Sequence, residues 1–261
     1  MRCAWFKDWL AFLATPCPLC GLSSRRGDLC AGCDQDVYAT RHSRLLCVGC
    51  ANDLSVHKTP LPTWNSAHQS DQNAAAIHST GNSNPSVNTQ HMSQGLCRLC
   101  QRIPRPFDAM FCAVDDCFPA ALMINRFSRC ATDLTLSPVL AALMWRSCQS
   151  WLQQHPIYQP DFWVPVPASN AQLARCHCNP SQELARSLSR LTGIARLPSA
   201  LRRIEDAGIE DHVTAQRFEH RRIGLVLDSD RELTVIQQAA QVCRAMGASH
   251  VIVLCAAKQI D

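Results

Sequence analysis

The stretch from Arg221 to Asp261 limits the fold more than any other, because it reads as strand, acidic turn, helix and strand. Ile223, Leu225, Val226 and Leu227 form the short apolar run that a buried parallel strand requires. Asp228, Ser229 and Asp230 follow at its carboxyl end. From Leu233 to Met246 the apolar residues Leu233, Ile236, Ala240 and Cys243 recur at helical spacing. Gly247 ends that helix, and His250 to Cys255 supply a second apolar strand. Parallel strands joined by a helix bind ligands at the carboxyl end of the first strand. Acidic residues there can hold sugar hydroxyls, and the helix N-terminus behind them can hold a phosphate. A solvated charged turn on an ordinary α/β core is the alternative reading of the same residues.

Cysteine dominates the other end of the chain, with 17 residues of 261. Eight of these form four C-x-x-C pairs: Cys17 and Cys20, Cys30 and Cys33, Cys47 and Cys50, Cys97 and Cys100. Such a pair presents both thiolates to one metal, and two pairs complete a tetrahedron. One zinc on the first two pairs and one on the last two is the simplest arrangement; an interleaved one is also open. Redox pairs or a finger that no longer binds are the competing readings. An all-cysteine site keeps no open coordination position, so its role is structural, fixing short loops that have little core of their own. The nine other cysteines are scattered, with Cys243 and Cys255 inside apolar runs. That usage is unlike a secreted disulfide framework and fits a reducing, cytoplasmic setting.

The length allows one medium domain plus a small one, and a hydrophobic fraction of 47% suits a globular core. A net charge of +4 permits nucleic-acid contact without arguing for it. The N-terminal segment MRCAWFKDWLAFLATPC is apolar but interrupted by Lys7 and Asp8. It reads as an amphipathic helix packed on the domain, and membrane insertion is not expected.

Residues 51–94 are rich in Asn, Ser, Gln, His and Thr and have no period, so they read as a flexible insert between the third and fourth pairs. Closing a long insert costs little, because the cost grows only logarithmically with length. Its histidines, His57, His68, His78 and His91, read as compositional drift. Helices are expected over Pro119–Arg129 and Ser137–Gln154, the second burying Leu140, Leu143, Met144, Trp151 and Leu152. Both read as core elements without chemistry. Asp161–Pro167 reads as a short strand at the lip of a sheet. Another helix is expected over Ser181–Leu191, capped by Ser181, with Leu184, Leu188 and Leu191 on one face. Cys176, His177 and Cys178 are too close together for tetrahedral geometry and are not assigned to a metal. Arg196, Arg202, Arg203, Arg217, Arg221 and Arg222, with Gln216 among them, suit phosphate, pyrophosphate or a nucleic-acid backbone. A solvated basic face fits them equally well.

In this order, the cysteine pairs, the Val164-Pro165-Val166-Pro167 strand and the C-terminal strand–turn–helix–strand resemble the ComF/GntX family. The resemblance implies an α/β protein with a type I phosphoribosyltransferase-like parallel sheet, preceded by a small four-cysteine zinc-ribbon module. It divides the chain into residues 1–50 (N-terminal helix and first zinc knuckles), 51–94 (insert), 95–110 (last knuckle and linker) and 111–261 (phosphoribosyltransferase-like domain). In the family an apolar strand, two acids and a Thr- and Gly-rich loop cradle the 5-phosphate of phosphoribosyl pyrophosphate (PRPP). The chain keeps the strand, Asp228, Thr234, the helix and Gly247-Ala248. It departs where Ser229 replaces the second acid, Asp230 follows one place late, and Arg231, Glu232 and Leu233 stand for threonines and glycine. Arg126-Phe127 takes the place of a family Lys-Phe. After the Val-Pro-Val-Pro strand, Arg175 and Asn179 of an Arg-Gly-Phe-Asn-Gln segment remain, while His177, Cys178 and Pro180 replace the rest.

By resemblance, Asp228, Ser229, Asp230 and Thr234 would bind PRPP, and Arg175, Arg217 and Arg221 would contact phosphate or DNA. Structural Zn²⁺ would sit on Cys17, Cys20, Cys30, Cys33, Cys47, Cys50, Cys97 and Cys100, and Mg²⁺ would accompany PRPP. The implied role lies in natural competence, in cytosolic handling of incoming single-stranded DNA with other competence proteins. Three mechanisms compete. A degenerate domain can be retained to bind PRPP, a nucleotide or single-stranded DNA. It can be an active phosphoribosyltransferase using PRPP and Mg²⁺. Or it can be a diverged protein–protein scaffold.

Overall fold

The computed structural model describes residues 14–25, 28–39, 41, 45–54, 95–129, 133–204, 208–211, 218–230 and 233–259. The expected N-terminal helix and nearly all of the expected insert lie outside the described residues, as do Gln216, Arg217, Arg231 and Glu232. The first cysteine module consists of strands β1 (Ala14–Pro16) and β2 (Ser23–Arg25), paired antiparallel, and α1 (Ala31–Asp34), which runs into a π-helical turn, Gln35–Ala39. The last pair opens α2 (Arg98–Arg102).

The larger body begins with β3 (Ala109–Asp115) and α3 (Ala120–Ile124), which a π-helical turn extends through Asn125–Arg129. Next come α4 (Ser137–Gln154), β4 (Phe162–Pro165), α5 (Asn170–Cys176), α6 (Pro180–Thr192) and β5 (Ala195–Arg196). A hairpin of β6 (Leu201–Ile204) and β7 (Gly208–Asp211) precedes β8 (Arg222–Ser229), α7 (Leu233–Ala245) and β9 (His250–Lys258). The five strands of the main sheet are all parallel, in the order β3-β9-β8-β4-β5.

Successive residues of β8 and β9 point to opposite faces, and both faces are covered, so both strands read as unbroken apolar runs. Val226, Ile252 and Leu254 join Leu140, Met144, Leu184 and Leu188 on the side of α4 and α6. Ile223, Leu225, Leu227, Val251 and Val253 join Ile236, Cys243 and Phe218 on the side of α7. Gly224 is paired with Trp163 across β8 and β4. A Cβ at that position would lie 2.3 Å from the buried indole ring, so a glycine is needed for the ring to pack there.

Two expectations are corrected. Asn179, not Ser181, caps α6: its side-chain oxygen accepts from the Ser181 N–H at 3.0 Å, and Pro180 opens the helix. Leu191, in the last turn of α6, is exposed, whereas Leu184 and Leu188 are fully buried. Among the described residues no helix is long and apolar enough to cross a membrane.

The segment between the third cysteine pair and Leu54 is docked on the sheet edge. The Met110 N–H donates to the Val48 carbonyl at 2.7 Å. Arg41, only 3% exposed, donates to the carbonyls of Cys112 (3.0 Å) and Ala51 (2.7 Å) and forms an ion pair with Asp115.

Candidate ligand pocket and metal centres

Along the chain the sheet grows outward from β4 to β5, then on the other side from β8 to β9, so its winding reverses between the neighbours β4 and β8. In open parallel sheets that reversal leaves a crevice at the carboxyl ends of the two strands. A cavity of about 210 Å³ occupies it. Val166 and Pro167 beyond β4, and Leu227, Asp228 and Ser229 of β8, supply its floor. The walls come from Ile124 and Ser128, from Ser169, Gln172 and Arg175, and from Ser181, Arg203 and Val235.

Local sequence sets several of these side chains. Ser169 caps α5, its Oγ accepting from the Gln172 N–H at 3.1 Å, and this starts a helix directly after β4. Gln172 then reaches the floor, where its Nε2 donates to Asp228 Oδ2 at 3.4 Å. Burial pushes the Asp228 carboxyl above the usual carboxylate range, opposed by backbone N–H groups and the side chains of Ser128 and Gln172. Ser128 is buried beside this carboxyl. The pocket thus presents a carboxyl, an amide and a hydroxyl on its inner surface, with two guanidinium groups, Arg175 and Arg203, also lining it. These groups can hold a hydroxylated ligand that carries an anionic group.

The other candidate residues lie elsewhere. Asp230 turns away from the cavity; its carboxylate pairs with Lys258 and accepts the Gln259 N–H at 2.6 Å. The register explains this, because Ser229 lies opposite Ala257 and the next side chain meets the end of β9. Thr234 is exposed, and its neighbour Val235 lines the pocket instead. Arg221 precedes β8 and Asp228 lies near its end, a separation of about 23 Å at ~3.3 Å per residue. Arg221 sits over the Phe162 ring at 6.0 Å, and Arg222 is paired with Asp161 at 2.6 Å. The described arginines of the basic stretch therefore do not converge on one site.

The sequence does not single out Ser128 or Gln172, and it marks Arg203 only as one arginine of the basic stretch. Gln172 had a local signal, since Ser169-x-x-Gln172 is a helix-start pattern immediately after a strand. Ser128 had none: it ends a helix expected to carry no chemistry, and only the fold brings it beside Asp228.

The cysteine pairs meet sequentially. Cys17, Cys20, Cys30 and Cys33 form one group, and Cys47, Cys50, Cys97 and Cys100 another, with the sulfurs of each group within 4.8 Å of one another. Cys20 and Cys30 sulfurs are 3.5 Å apart, and Cys50 and Cys97 sulfurs 3.7 Å. Sulfurs about 2.3 Å from a tetrahedral metal are separated by about 3.8 Å, so both groups can hold an ion and are compatible with zinc. Backbone N–H groups aim at the sulfurs, Cys30 at Cys17 (3.4 Å) and Cys97 at Cys47 (3.1 Å). The neighbouring Cys50 thiol, helped by backbone donors, holds the Cys47 thiol below its usual range, while the same contact and burial hold Cys50 above its own.

These features define a mixed α/β protein with a five-stranded parallel sheet, a pocket at its winding reversal and two tetracysteine groups able to hold metal. Comparison of the chain with family models, with curated proteins and with solved structures gives no match.

Proposed function

We propose that the chain is a ComF-type protein in which a type I phosphoribosyltransferase-like domain is kept as a binding module for PRPP or a nucleotide. The observation that carries this reading is the pocket between β4 and β8, with Asp228 and Ser229 at its floor and Arg175 and Arg203 in its lining. Asp228 would accept ribose hydroxyls, and the arginines would take phosphate oxygens. Both tetracysteine groups would carry structural zinc, which would cross-link loops that have little core of their own. Binding is favoured over catalysis because Asp230 is occupied by Lys258, leaving one carboxylate at the floor to share between ribose and a Mg²⁺ ion. The cellular role would be handling of incoming single-stranded DNA during competence.

Calorimetric titration of the zinc-loaded protein with PRPP and Mg²⁺, wild type against Asp228→Asn, tests the reading. Saturable binding that Asp228→Asn removes is the expected result. No heat at high protein concentration would overturn it. A DNA role predicts single-stranded DNA affinity that falls steeply with salt.

A further inference from the structure

The two tetracysteine groups have the same donor set but different surroundings. Cys47, Cys50, Cys97 and Cys100 are all buried, none more than 7% exposed. Leu54 and Leu96 pack against them. A Cβ on Gly49 would lie 3.0 Å from Cys100 Cβ and 3.1 Å from its sulfur, so no space is left beside that group. In the first group only Cys17 is buried; Cys20 is exposed, and Cys30 and Cys33 are partly exposed. A Cβ on Gly32 would meet nothing within 4 Å. Cys20 and Cys33 open into a cavity of about 430 Å³, and Cys30 into a separate groove of about 700 Å³.

We infer that the first cysteine group is an oxidation-sensitive modification site, at which a peroxide-class oxidant joins Cys20 to Cys30 and abolishes metal binding, while the second group stays intact. This rests on the reading that both groups carry metal. Cys20 and Cys30 are the natural pair because their sulfurs are 3.5 Å apart and both are accessible. The Cys20 thiolate attacks the peroxide O–O bond, giving a sulfenic acid and hydroxide. The Cys30 thiolate then attacks that sulfur, expels a second hydroxide and forms the S–S bond. Two electrons pass from the thiolates to the peroxide, and two protons from solvent convert both hydroxides to water. Cys17 and Cys33 remain as the only donors, too few for a closed tetrahedral site.

The consequence falls on the contacts that seat this module on α4. Asp34 is paired with Arg146 at 2.6 Å, and the Arg146 guanidinium lies 3.9 Å from the centre of the Tyr38 ring. Asp34 follows directly after the Cys30–Cys33 pair and Tyr38 lies in the π-helical turn that continues from it, so losing the metal cross-link frees the segment that presents them.

The experiment treats the zinc-loaded full chain with hydrogen peroxide, follows released zinc with a metal-sensitive dye and maps disulfides by peptide mass spectrometry. Fast loss of one of two zinc equivalents, with a Cys20–Cys30 disulfide and unmodified second-group thiols, is expected. Cys117→Ser, which removes the exposed thiol sharing the 430 Å³ cavity, should release zinc as the wild type does. Release of both equivalents in one phase would overturn the inference, as would retention of both, or protection by Cys117→Ser. A purified chain with no zinc would defeat the underlying metal reading, and this inference with it. Two equivalents that resist peroxide would defeat the inference alone.

Discussion

Gly224→Ala puts a methyl group where the structure has no room for one. The new Cβ would stand 2.3 Å and 2.4 Å from two carbons of the Trp163 ring and 3.2 Å from Pro160 Cγ, whereas ordinary contact begins near 3.4 Å. Trp163 is fully buried, meets Trp145 edge-on at 6.4 Å, and donates its indole N–H to Thr192 Oγ1 at 3.0 Å. Retreat of the ring by about an ångström costs about 1–3 kcal/mol in overpacking. Breaking the indole hydrogen bond leaves a buried donor unsatisfied, at about 1–3 kcal/mol. Together these give about 2–6 kcal/mol, a large part of the stability of a typical domain. At ~2–4 °C per kcal/mol, Tm should fall by about 4–24 °C. Urea unfolding of the zinc-loaded protein, followed by tryptophan fluorescence and far-UV circular dichroism, measures the change. Trp163→Leu in the Gly224→Ala background should recover part of the loss, because the two sites share one volume. A single variant within about 0.5 kcal/mol of wild type would refute this account of the β4–β8 contact, and with it the packing that aligns the two strands bearing the pocket floor.

Two further predictions concern charges inside the fold. Arg41→Ala removes the buried guanidinium that pairs with Asp115 and uncovers the Cys112 and Ala51 carbonyls, so a loss of about 3–5 kcal/mol in urea unfolding is expected; a loss below about 1 kcal/mol would mean that Arg41 does not clamp this segment to β3. Asp228→Asn should stabilise the protein near neutral pH. Burial raises the folded-state pKa of Asp228, so the native state binds this proton more readily than the unfolded chain and wild-type stability falls as pH rises through the folded pKa. The advantage of Asn should vanish below the unfolded pKa of about 3.9, where the wild-type residue is neutral in both states. An Asn variant less stable than wild type at neutral pH would contradict the burial of that carboxyl.

Much of the architecture was legible in the sequence because it rests on relations between chain neighbours. Helical periodicity set α4 over Ser137–Gln154, as expected. Apolar runs marked β8 and β9, although both strands extend beyond those runs. The C-x-x-C spacing identified the eight candidate ligands, since two thiolates one knuckle apart meet without help from the rest of the fold. Which pairs share a site was not local: Cys50 and Cys97 meet across 47 positions, a closure the sequence left open.

The pocket depended on tertiary structure to a greater degree. Asp228 and Asp230 look equivalent on a strand end, yet the β8–β9 register sends one to the cavity and the other to Lys258. Arg203 and Arg221 belong to one basic stretch, yet the hairpin brings Arg203 to the pocket while β8 carries Arg221 to the far end of the sheet. Ser128, Gln172 and Asp228 come from three separate elements. By itself the sequence determined which segments bury which faces, because hydrophobic periodicity is written between neighbours. Only the tertiary structure decided which polar side chains share the cavity, because strand order and register place residues that are 44 and 56 positions apart in the chain within reach of one another.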